Sequence, residues 1–437
     1  MLPSDSSISR RTFLKSSSTA TAAATAAWLV AGAGVRSVVG ADSNEKVEVG
    51  FMGLNSRGMD LLKEFLASQR VLVSWLCDVD QRAIDKAGAV VKAAQGLAFK
   101  TTPDVRRMLE DRRLQAVVIA APDHWHVPAG LMALQAGKHL YVEKPLSHNP
   151  REGEWLVEAT RKTRLVVQVG LQRRSVPWVI EAIGRIHAGE LGPVHFARAW
   201  YAADRTGIGF GQLAPVPAWL DYSLWQGPAP DKPFRDNLVH YNWHWFWHWG
   251  TGELANNGVH FLDLVRWGMN LDCPQRVTST GGRYFFDDDQ ETPDTQVVTF
   301  DFGGRTVVWE HRSCQPTPSE GEATGAVFYG RKATLTMGPS GYRVVDLSGK
   351  ELAKGSGGTP SAPHVANFLD CIVNPGKSPA SSAEDGHKST LLCHLGNIAQ
   401  RSGEILQVNP ATRQLRTPST ASRYWSREYR RGWEPKV

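Results

Sequence analysis

Residues 46–171 alternate short apolar runs with amphipathic stretches, and this alternation constrains the fold more than any other feature of the chain. Repeated strand–helix–strand units have this pattern, and they build a parallel sheet with helices on both faces. Because connections between parallel strands are short and right-handed, the pattern predicts a doubly wound Rossmann sheet of five or six strands. The predicted strands are residues 47–52, 71–76, 116–120, 139–142 and 165–169.

The pattern changes after residue 172, where apolar or alternating β-type runs are separated by Gly, Pro and Asp turns. These runs are residues 193–203, 275–286, 294–312 and 325–346. They predict a C-terminal α+β domain with a large, mostly antiparallel open sheet. Since 437 residues exceed what one hydrophobic core usually supports, we expect two domains, a Rossmann domain over 42–171 and a substrate-binding domain over 172–437.

Two irregular segments stand out in the second domain. Residues 204–250 are rich in Pro and Trp and have no regular period, and loops of that length are usually functional. The C-terminal helix and the polar, aromatic tail over 403–437 are expected to pack back on the Rossmann domain or on a partner subunit.

The first 41 residues follow the three-part pattern of an export signal. Arg10 and Arg11 stand in a polar start, an Ala-rich apolar stretch follows, and small residues precede a cut predicted after Ala41. The Arg pair followed by Phe-Leu-Lys resembles a twin-arginine signal, and the apolar stretch is too short for a membrane span. We expect the twin-arginine export machinery to carry the folded protein to the periplasm or outside the cell, with no integral membrane segment after signal removal. An ordinary signal peptide or an uncleaved anchor is the alternative.

Charge and cysteine usage argue against other classes of protein. Of the net charge of +6, a large share lies in the signal, and no basic run remains that resembles a nucleic-acid-binding surface. The five cysteines are scattered without a C-x-x-C pair, which favours buried thiols over a disulfide framework or a zinc site.

A glycine-containing turn follows the first predicted strand, where a dinucleotide fold binds its pyrophosphate. The turn residues expected to bind the cofactor are Gly53, Asn55, Ser56, Arg57 and Gly58. Asn55 replaces the usual middle glycine, and we expect the turn to survive because Asn tolerates a positive φ. Asp78, which ends the second strand, can accept hydrogen bonds from both ribose hydroxyls and would repel a 2′-phosphate, so it favours NAD over NADP. Asp80 is better explained as the cap of the next helix.

Four further segments, in this order, resemble signatures of the Gfo/Idh/MocA oxidoreductases, the group that includes glucose–fructose oxidoreductase and inositol dehydrogenase. They are Ala121-Pro122-Asp123-His124-Trp125-His126, Glu143-Lys144-Pro145, Val169-Gly170-Leu171-Gln172-Arg173-Arg174 and Gly258-Val259-His260-Phe261-Leu262-Asp263. The resemblance covers essentially the whole mature chain and implies nicotinamide-dependent oxidoreduction. It implies that Lys144 stands beside nicotinamide and substrate, and that Pro122, His126 and Glu143 line the cofactor pocket.

The catalytic residues predicted from this resemblance are Lys144, His260, Asn256 and Asp263. An ammonium at Lys144 would stabilise a developing alkoxide, and imidazole at His260 can take the hydroxyl proton near working pH. On a helix, Asn256, His260 and Asp263 would share one stripe, so either neighbour could orient the imidazole. Many family members have Asp where this chain has Asn256, which puts the transfer of that role in doubt. A structural histidine, or a metal site that includes Glu253, is the alternative, although the resemblance implies no metal.

The predicted substrate-binding residues are Lys144, Gln172, Arg173, Trp243 and His260. Residues 241–249 alternate aromatic side chains with His and Asn, a composition that suits the C–H faces and hydroxyls of a sugar. Packing under the sheet or an oligomer interface explains the same composition equally well. One of Arg173 and Arg174 is expected to form a structural ion pair.

Three functions stay open at this stage. The leading hypothesis is an exported oxidoreductase that oxidises the carbinol of a sugar, polyol or glycoside with tightly bound NAD, as a homo-oligomer, either dimer or tetramer. The second is a glycoside hydrolase or lyase that works through transient oxidation by NAD. The third is a non-catalytic protein that binds a nucleotide or a sugar.

Overall fold

The computed structural model describes residues 46–437. The predicted signal and its cut site lie outside the described residues. The first described strands are β1 Val47–Met52, β2 Val71–Cys77, β3 Lys100–Thr102, β4 Ala116–Ile119, β5 His139–Val142 and β6 Val167–Val169. They pair in parallel in the order β3-β2-β1-β4-β5-β6, which confirms the predicted Rossmann sheet.

In the described residues, five helices lie between these strands. They are α1 Arg57–Ala67, α2 Gln81–Gln95, α3 Val105–Leu109, α4 Asp123–Gln135 and α5 Pro150–Thr163. Of these, α2, α3 and α5 begin after a residue whose side chain caps them. Asp80 accepts a hydrogen bond from the backbone N–H of Arg82 and caps α2, as predicted. The strand β3 and the helix α3 were not predicted, because both are short and β3 consists of the polar residues Lys-Thr-Thr.

Helix α4, which follows the central strand β4, is buried on nearly all sides. The C-terminal tail explains this burial. The ring of Trp433 packs edge-on against Trp125 at 5.3 Å, and Gln135 Nε2 donates to the backbone carbonyl of Lys436 at 2.7 Å. Arg427 and Tyr429 both bind Glu152 of α5. A helix that is apolar all round needs such a cover.

The second part of the chain is a mixed, mostly antiparallel sheet, as predicted. Its strands are β7 Val194–Ala202, β8 Arg276–Gly282, β9 Thr295–Asp301, β10 Thr306–Arg312, β11 Thr324–Gly330, β12 Ala333–Met337, β13 Gly341–Asp346, β14 Glu351–Ser356, β15 Leu406–Asn409 and β16 Gln414–Leu415. In the described residues they pair in the order β14-β13-β12-β11-β7-β10-β9-β8-β15-β16, and only β7 and β10 are parallel.

One face of this sheet is covered by helices. The helices of this part are α6 Pro177–His187, α7 Tyr222–Gln226, α8 Val259–Gly268, α9 Ala362–Val373 and α10 Ala383–Ser402. Along β10 the residues alternate between buried and partly exposed, which is the pattern of a strand with one covered face. Helix α8 packs on β7 and β11, while α10 contacts both β8 and α5. Within residues 46–437, no helix combines the length and the apolar character that a membrane crossing requires.

Candidate active site

A cleft lies at the carboxyl ends of β1, β2, β4 and β5, with about 1490 Å³ of empty space that includes open solvent. Ligands of open parallel sheets bind at this edge, where the strand order reverses. Most of the predicted site residues line the cleft, namely Gly53, Asn55, Ser56, Arg57, Asp78, Pro122, His126, Glu143, Lys144, Gln172, Trp243, Asn256 and His260. Gly58, Arg173 and Asp263 do not line it.

The turn after β1 requires glycine at two positions. Gly53 has φ +85°, and a Cβ there would lie 2.6 Å from the backbone of Ala120, the residue that follows β4. A Cβ on Gly58 would lie 2.0 Å from the carbonyl oxygen of Gly53, so Gly58 shapes the turn from behind. The expected positive φ at Asn55 is wrong, because Ser56 takes it instead, at 42°. The side chain of Asn55 accepts a hydrogen bond from the backbone N–H of Ser56 and closes the turn.

Replacing Gly58 with Ala should disrupt this turn. The added Cβ meets backbone rather than a movable side chain, so we expect a loss of about 1–3 kcal/mol in stability and much weaker coenzyme binding. Fluorescence titration with NADH and thermal unfolding measure the two effects. Gly184→Ala is the matched control, since a Cβ at Gly184 has open space around it within helix α6 and should leave coenzyme affinity unchanged. Equal NADH affinity in the Gly58→Ala protein would contradict this role of the turn.

Asp78 is held at the end of β2 by backbone donors. Its two carboxylate oxygens accept from the N–H groups of Leu54, at 2.6 Å, and Asp80, at 2.9 Å. Burial raises the pKa of Asp78, while these hydrogen bonds and the nearby His240 oppose the shift. The carboxylate therefore has a fixed position in the cleft, next to the turn after β1.

The irregular segment 204–250 folds over the rim of the sheet beside Asp78. Asp80 and Leu220 form a β-bridge, the backbone N–H of Gln81 donates to the carbonyl of Trp219, and His240 Nε2 lies 2.9 Å from the carboxylate of Asp80. Tyr222, Trp225, Phe246 and other residues of this segment form their own buried apolar cluster. The segment therefore covers one end of the cleft, at a position that no sequence pattern had indicated.

The aromatic passage 241–249 divides between two tasks. Tyr241, Trp243 and His244 line the cleft. By contrast, Phe246 and Trp249 pack in the apolar cluster of the segment, and Trp245 is buried. The packing alternative thus holds for Phe246 and Trp249, whereas Trp243 both lines the cleft and belongs to the apolar cluster. Contact of this passage with a sugar stays a prediction.

Lys144 follows β5 and points to the second part of the chain. Its Nζ donates to the backbone carbonyl of Asn256 at 2.8 Å and to the side-chain Oδ1 of Asn256 at 3.0 Å. Burial lowers the pKa of Lys144, and Glu143, Asp123 and Glu253 oppose this shift. The ammonium is therefore fixed within the cleft and shares no salt bridge with another described residue.

His260 lies in the first turn of helix α8 and lines the same cleft. Its Nδ1 is buried and has no hydrogen-bond partner among residues 46–437. Burial lowers the pKa of His260 well below its usual value, and the positive charges of Lys144, Arg173 and Arg57 lower it further. The imidazole is therefore neutral near pH 7 and can accept a proton.

The predicted stripe of Asn256, His260 and Asp263 needs correction. Residues Leu254–Gly258 form a π-helical turn, so helical spacing does not carry Asn256 onto the face of His260, and its amide binds Lys144 instead. Asp263 is 1% exposed and forms a bidentate ion pair with Arg174, in which Nε and Nη2 of Arg174 each donate to one carboxylate oxygen at 2.8 Å. It orients no imidazole among the described residues. The expectation that one of Arg173 and Arg174 serves structure holds for Arg174.

Other predicted residues support the cleft walls. Glu143 accepts from Arg57 Nε at 2.9 Å, which joins α1 to the end of β5. His126 Nδ1 lies 2.6 Å from the carbonyl oxygen of Pro145, and His126 Nε2 lies 2.8 Å from the carbonyl oxygen of Ala121. Arg173 lies outside the cleft with its guanidinium over the ring of Phe261, 4.5 Å from the centroid, and burial lowers its pKa to about 10.

Asp123 is a cleft residue to which the sequence analysis gave no role. It is 3% exposed, its Oδ2 accepts from the hydroxyl of Thr251 at 2.6 Å, and burial raises its pKa. Its position in the Ala-Pro-Asp-His-Trp-His segment was the available signal. The considered metal site is not formed, since Glu253 pairs with Arg205 and Asp263 with Arg174, and no metal-binding group of His, Cys, Asp or Glu occurs within residues 46–437.

The residues present fit a dinucleotide. At one end of the cleft stand the Gly53–Gly58 turn and the fixed carboxylate of Asp78. At the other end, His260 Nδ1 and Gln172 Oε1 are buried without a hydrogen-bond partner in the described part of the chain. Buried polar atoms of this kind normally have a partner, which a ligand can supply.

Fold and cleft together define a nicotinamide-dependent oxidoreductase with a Rossmann domain. The chain belongs to the Gfo/Idh/MocA family. A family model described as the NAD-binding Rossmann fold of this oxidoreductase family matches residues 47–171, and a model of its C-terminal alpha/beta domain matches residues 204–435.

Curated relatives carry names of a different activity. A glycosyl hydrolase family 109 protein of Saccharopolyspora erythraea is 30% identical over 227 residues, which are 48% of this chain and 49% of that protein. An alpha-N-acetylgalactosaminidase of Shewanella oneidensis is 30% identical over 173 residues, 36% of this chain and 38% of the relative. The chain thus matches half or less of the length of these relatives.

Solved structures share the fold at low identity. Levoglucosan dehydrogenase in complex with NADH and levoglucosan has a TM-score of 0.64 at 17% identity, over 83% of this chain and 99% of that one. The WlbA dehydrogenase of Bordetella pertussis, in complex with NADH and UDP-GlcNAcA, has a TM-score of 0.64 at 18% identity, over 84% and 99% of the two chains.

Proposed function

We propose that this protein oxidises a carbinol carbon of a sugar, polyol or glycoside with NAD, and that it is exported with the coenzyme tightly bound. The single observation that carries the proposal is the joint placement of Lys144 and His260 in one cleft with the glycine turn and Asp78. Aromatic side chains at the cleft, Tyr241 and Trp243, suit the C–H faces of a sugar ring.

The roles of the residues follow from their contacts. When bound, the nicotinamide ring supplies a hydride acceptor. Lys144, held by two oxygens of Asn256, stabilises the negative charge that develops on the substrate oxygen. His260, which lines the cleft and is neutral near pH 7, accepts the hydroxyl proton. Asn256 acts as a positioning residue for Lys144.

Glycoside cleavage through transient oxidation is the second candidate. The names of the relatives in Saccharopolyspora erythraea and Shewanella oneidensis favour it. In this reaction, the ketone formed at a ring carbon would acidify the neighbouring C–H, and loss of that proton and of the aglycone would leave a carbon–carbon double bond. Water would add to this double bond in a hydrolase, or the double bond would remain in a lyase, and return of the hydride would then reduce the ketone to the hydroxyl. The same Lys144 and His260 would serve the first and the last step.

One assay separates the two candidates. The protein is incubated with NAD and a panel of free sugars, polyols and p-nitrophenyl glycosides, α-N-acetylgalactosaminide among them. NADH formation without nitrophenol supports net oxidation. Nitrophenol release without net NADH supports cleavage. No reaction with any panel member, together with an unchanged profile in Lys144→Met, would favour the non-catalytic alternative.

The coenzyme proposal has its own test. We expect the nucleotide released from protein purified without added coenzyme to be NAD, since the carboxylate of Asp78 disfavours a phosphate at the ribose. Mass spectrometry of the released nucleotide identifies it directly. Recovery of NADP would contradict the role given to Asp78, and recovery of no nucleotide would contradict tight binding.

A further inference from the structure

A second cleft lies behind the active site, where the N-terminus of α5, the helix α10 and the C-terminal tail meet. It has an inner and an outer part, with about 300 and 640 Å³ of empty space. Both parts share the lining residues His148, Asn149, Trp247, Arg401 and Tyr424, and the outer part adds Arg423 and Arg427. We refer to it as the arginine cleft.

Arg401 is the centre of the arginine cleft. Its guanidinium lies 4.7 Å from the ring centroid of Trp247 and 4.1 Å from that of Tyr424. Stacking uses the faces of the guanidinium and leaves N–H donors at its edge. Within residues 46–437, neither Arg401 nor Arg423 forms a salt bridge, so both charges are available to a ligand.

Several buried polar atoms around Arg401 also lack partners. Neither ring nitrogen of His148 has a hydrogen-bond partner among the described residues, and the same holds for Asn149 Nδ2 and Arg427 Nη1. Asn149 is 4% exposed. Such unsatisfied groups are uncommon in buried positions, and most of these atoms are donors.

The nearby carboxylates are already engaged. Glu152 Oε1 accepts from Arg427 Nε at 2.9 Å and from the hydroxyl of Tyr429 at 2.8 Å. Glu291 Oε2 accepts from the backbone N–H of Trp247 at 2.8 Å. The charge of Glu291 also acts on Arg401. Arg401, Arg423 and Arg427 still outnumber these two carboxylates, so the arginine cleft keeps an excess of positive charge and of hydrogen-bond donors.

The arginine cleft adjoins the active site and is distinct from it. Thr251 lines its inner part, and the Thr251 hydroxyl binds Asp123, which lines the active-site cleft. Asn397, which also lines the inner part of the arginine cleft, donates from Nδ2 to the carbonyl of Thr251 at 2.8 Å. Apart from this connection, the two clefts have different lining residues.

We propose that the arginine cleft is a binding site for a small oxyanion, a carboxylate, sulfate or phosphate group, with Arg401 as its principal ligand. Oxyanions accept the charge-assisted hydrogen bonds that arginine and unpaired amide donors offer. The proposal goes beyond the proposed function and needs no particular substrate of the active site.

Calorimetric titration of the full chain, saturated with NAD so that the active-site cleft is filled, tests the proposal. The probes are sodium D-glucuronate, sodium sulfate and inorganic phosphate at constant ionic strength, and they distinguish a sugar carboxylate from the free inorganic ions. We expect saturable binding of at least one probe, with one site per chain. Arg401→Gln should weaken it tenfold or more, while Arg112→Gln, an exposed arginine elsewhere, should not change it.

Two outcomes would overturn the proposal. One is the absence of saturable binding for all three probes. The other is equal affinity in wild type and Arg401→Gln, with thermal unfolding showing that the variant is folded. Should Arg401→Gln fail to fold, Arg423→Gln takes its place, because Arg423 is exposed and contacts only Tyr424 by hydrogen bond among the described residues. Equal affinity in wild type and Arg423→Gln would then overturn the proposal, as would the absence of saturable binding.

Discussion

Replacing Lys144 with Met should lower kcat by about 10²–10⁴-fold, the range typical for the loss of a proton-transferring or charge-stabilising group. The variant keeps the length of the side chain but removes the ammonium that Asn256 holds at 2.8 and 3.0 Å. Coenzyme binding should change far less, since the glycine turn and Asp78 lie at the other end of the cleft. Steady-state kinetics on whichever substrate the panel identifies, with NADH titration in parallel, measures both effects.

Lys63→Met is the matched control for this variant. Lys63 is an exposed lysine on α1, and its loss should leave kcat unchanged. Asn256→Ala should lower kcat less than Lys144→Met, and it should shift the pH profile, because Lys144 then loses its contact with the side-chain Oδ1 and keeps the contact with the backbone carbonyl. Turnover of Lys144→Met within a few-fold of wild type would remove Lys144 from the mechanism.

Acidification from pH 7 to pH 5 should strongly destabilise the folded protein. Burial lowers the pKa of ten of the fourteen histidines, to about 4 for His139, His248, His364 and His387 and to about 3 for His244 and His394. His124, His148, His260 and His311 shift in the same direction for the same cause.

The sign of the effect follows from proton linkage. Above pH 6.5 these histidines are neutral in both the folded and the unfolded chain. Below it the unfolded chain takes up protons that the folded chain excludes, so the free energy of unfolding falls until pH reaches the folded pKa values. Each fully buried histidine contributes at most about 1.4 kcal/mol per pH unit. Asp78, Asp123 and Glu64, whose pKa values are raised, oppose the trend between their raised folded pKa and the ordinary carboxyl pKa, because the folded chain then binds the extra protons.

The effect adds over these histidines, and the whole stability of a typical domain is only about 5–15 kcal/mol. We therefore expect the Tm to fall as the pH falls below 6.5. Thermal unfolding by circular dichroism from pH 8 to pH 4 measures the slope. His387→Gln should reduce this slope, whereas exposed His195→Gln should not. A Tm that is constant between pH 7 and pH 5 would contradict the prediction.

Much of the fold was predictable because its determinants are local. The alternation in residues 46–171 sets the strands and helices of the Rossmann sheet, and Asp80 caps α2 through its own neighbour. Gly53 marks the turn through its positive φ, and Gly58 through its close approach to the carbonyl of Gly53, so both requirements involve nearby backbone. The order of strands then follows from general rules of handedness.

The site was predictable only in part. The family resemblance predicted that Lys144 and His260 share one cleft. The partners of His260, however, were predicted from helical spacing. That spacing failed where Leu254–Gly258 adopts a π-helical turn, and Asn256 turned to Lys144 across 112 positions of sequence. Asp263 forms an ion pair with Arg174, 89 positions away in sequence.

The sequence by itself thus determined the class of fold, the coenzyme turn and the identity of the main polar residues in the cleft. Only the tertiary structure decided which groups meet, such as Asn256 with Lys144, Asp263 with Arg174, and segment 204–250 with the rim at Asp80. The physical reason is that periodicity and turn chemistry act between neighbours in sequence. Pairing of buried polar groups depends on packing between elements that are distant along the chain.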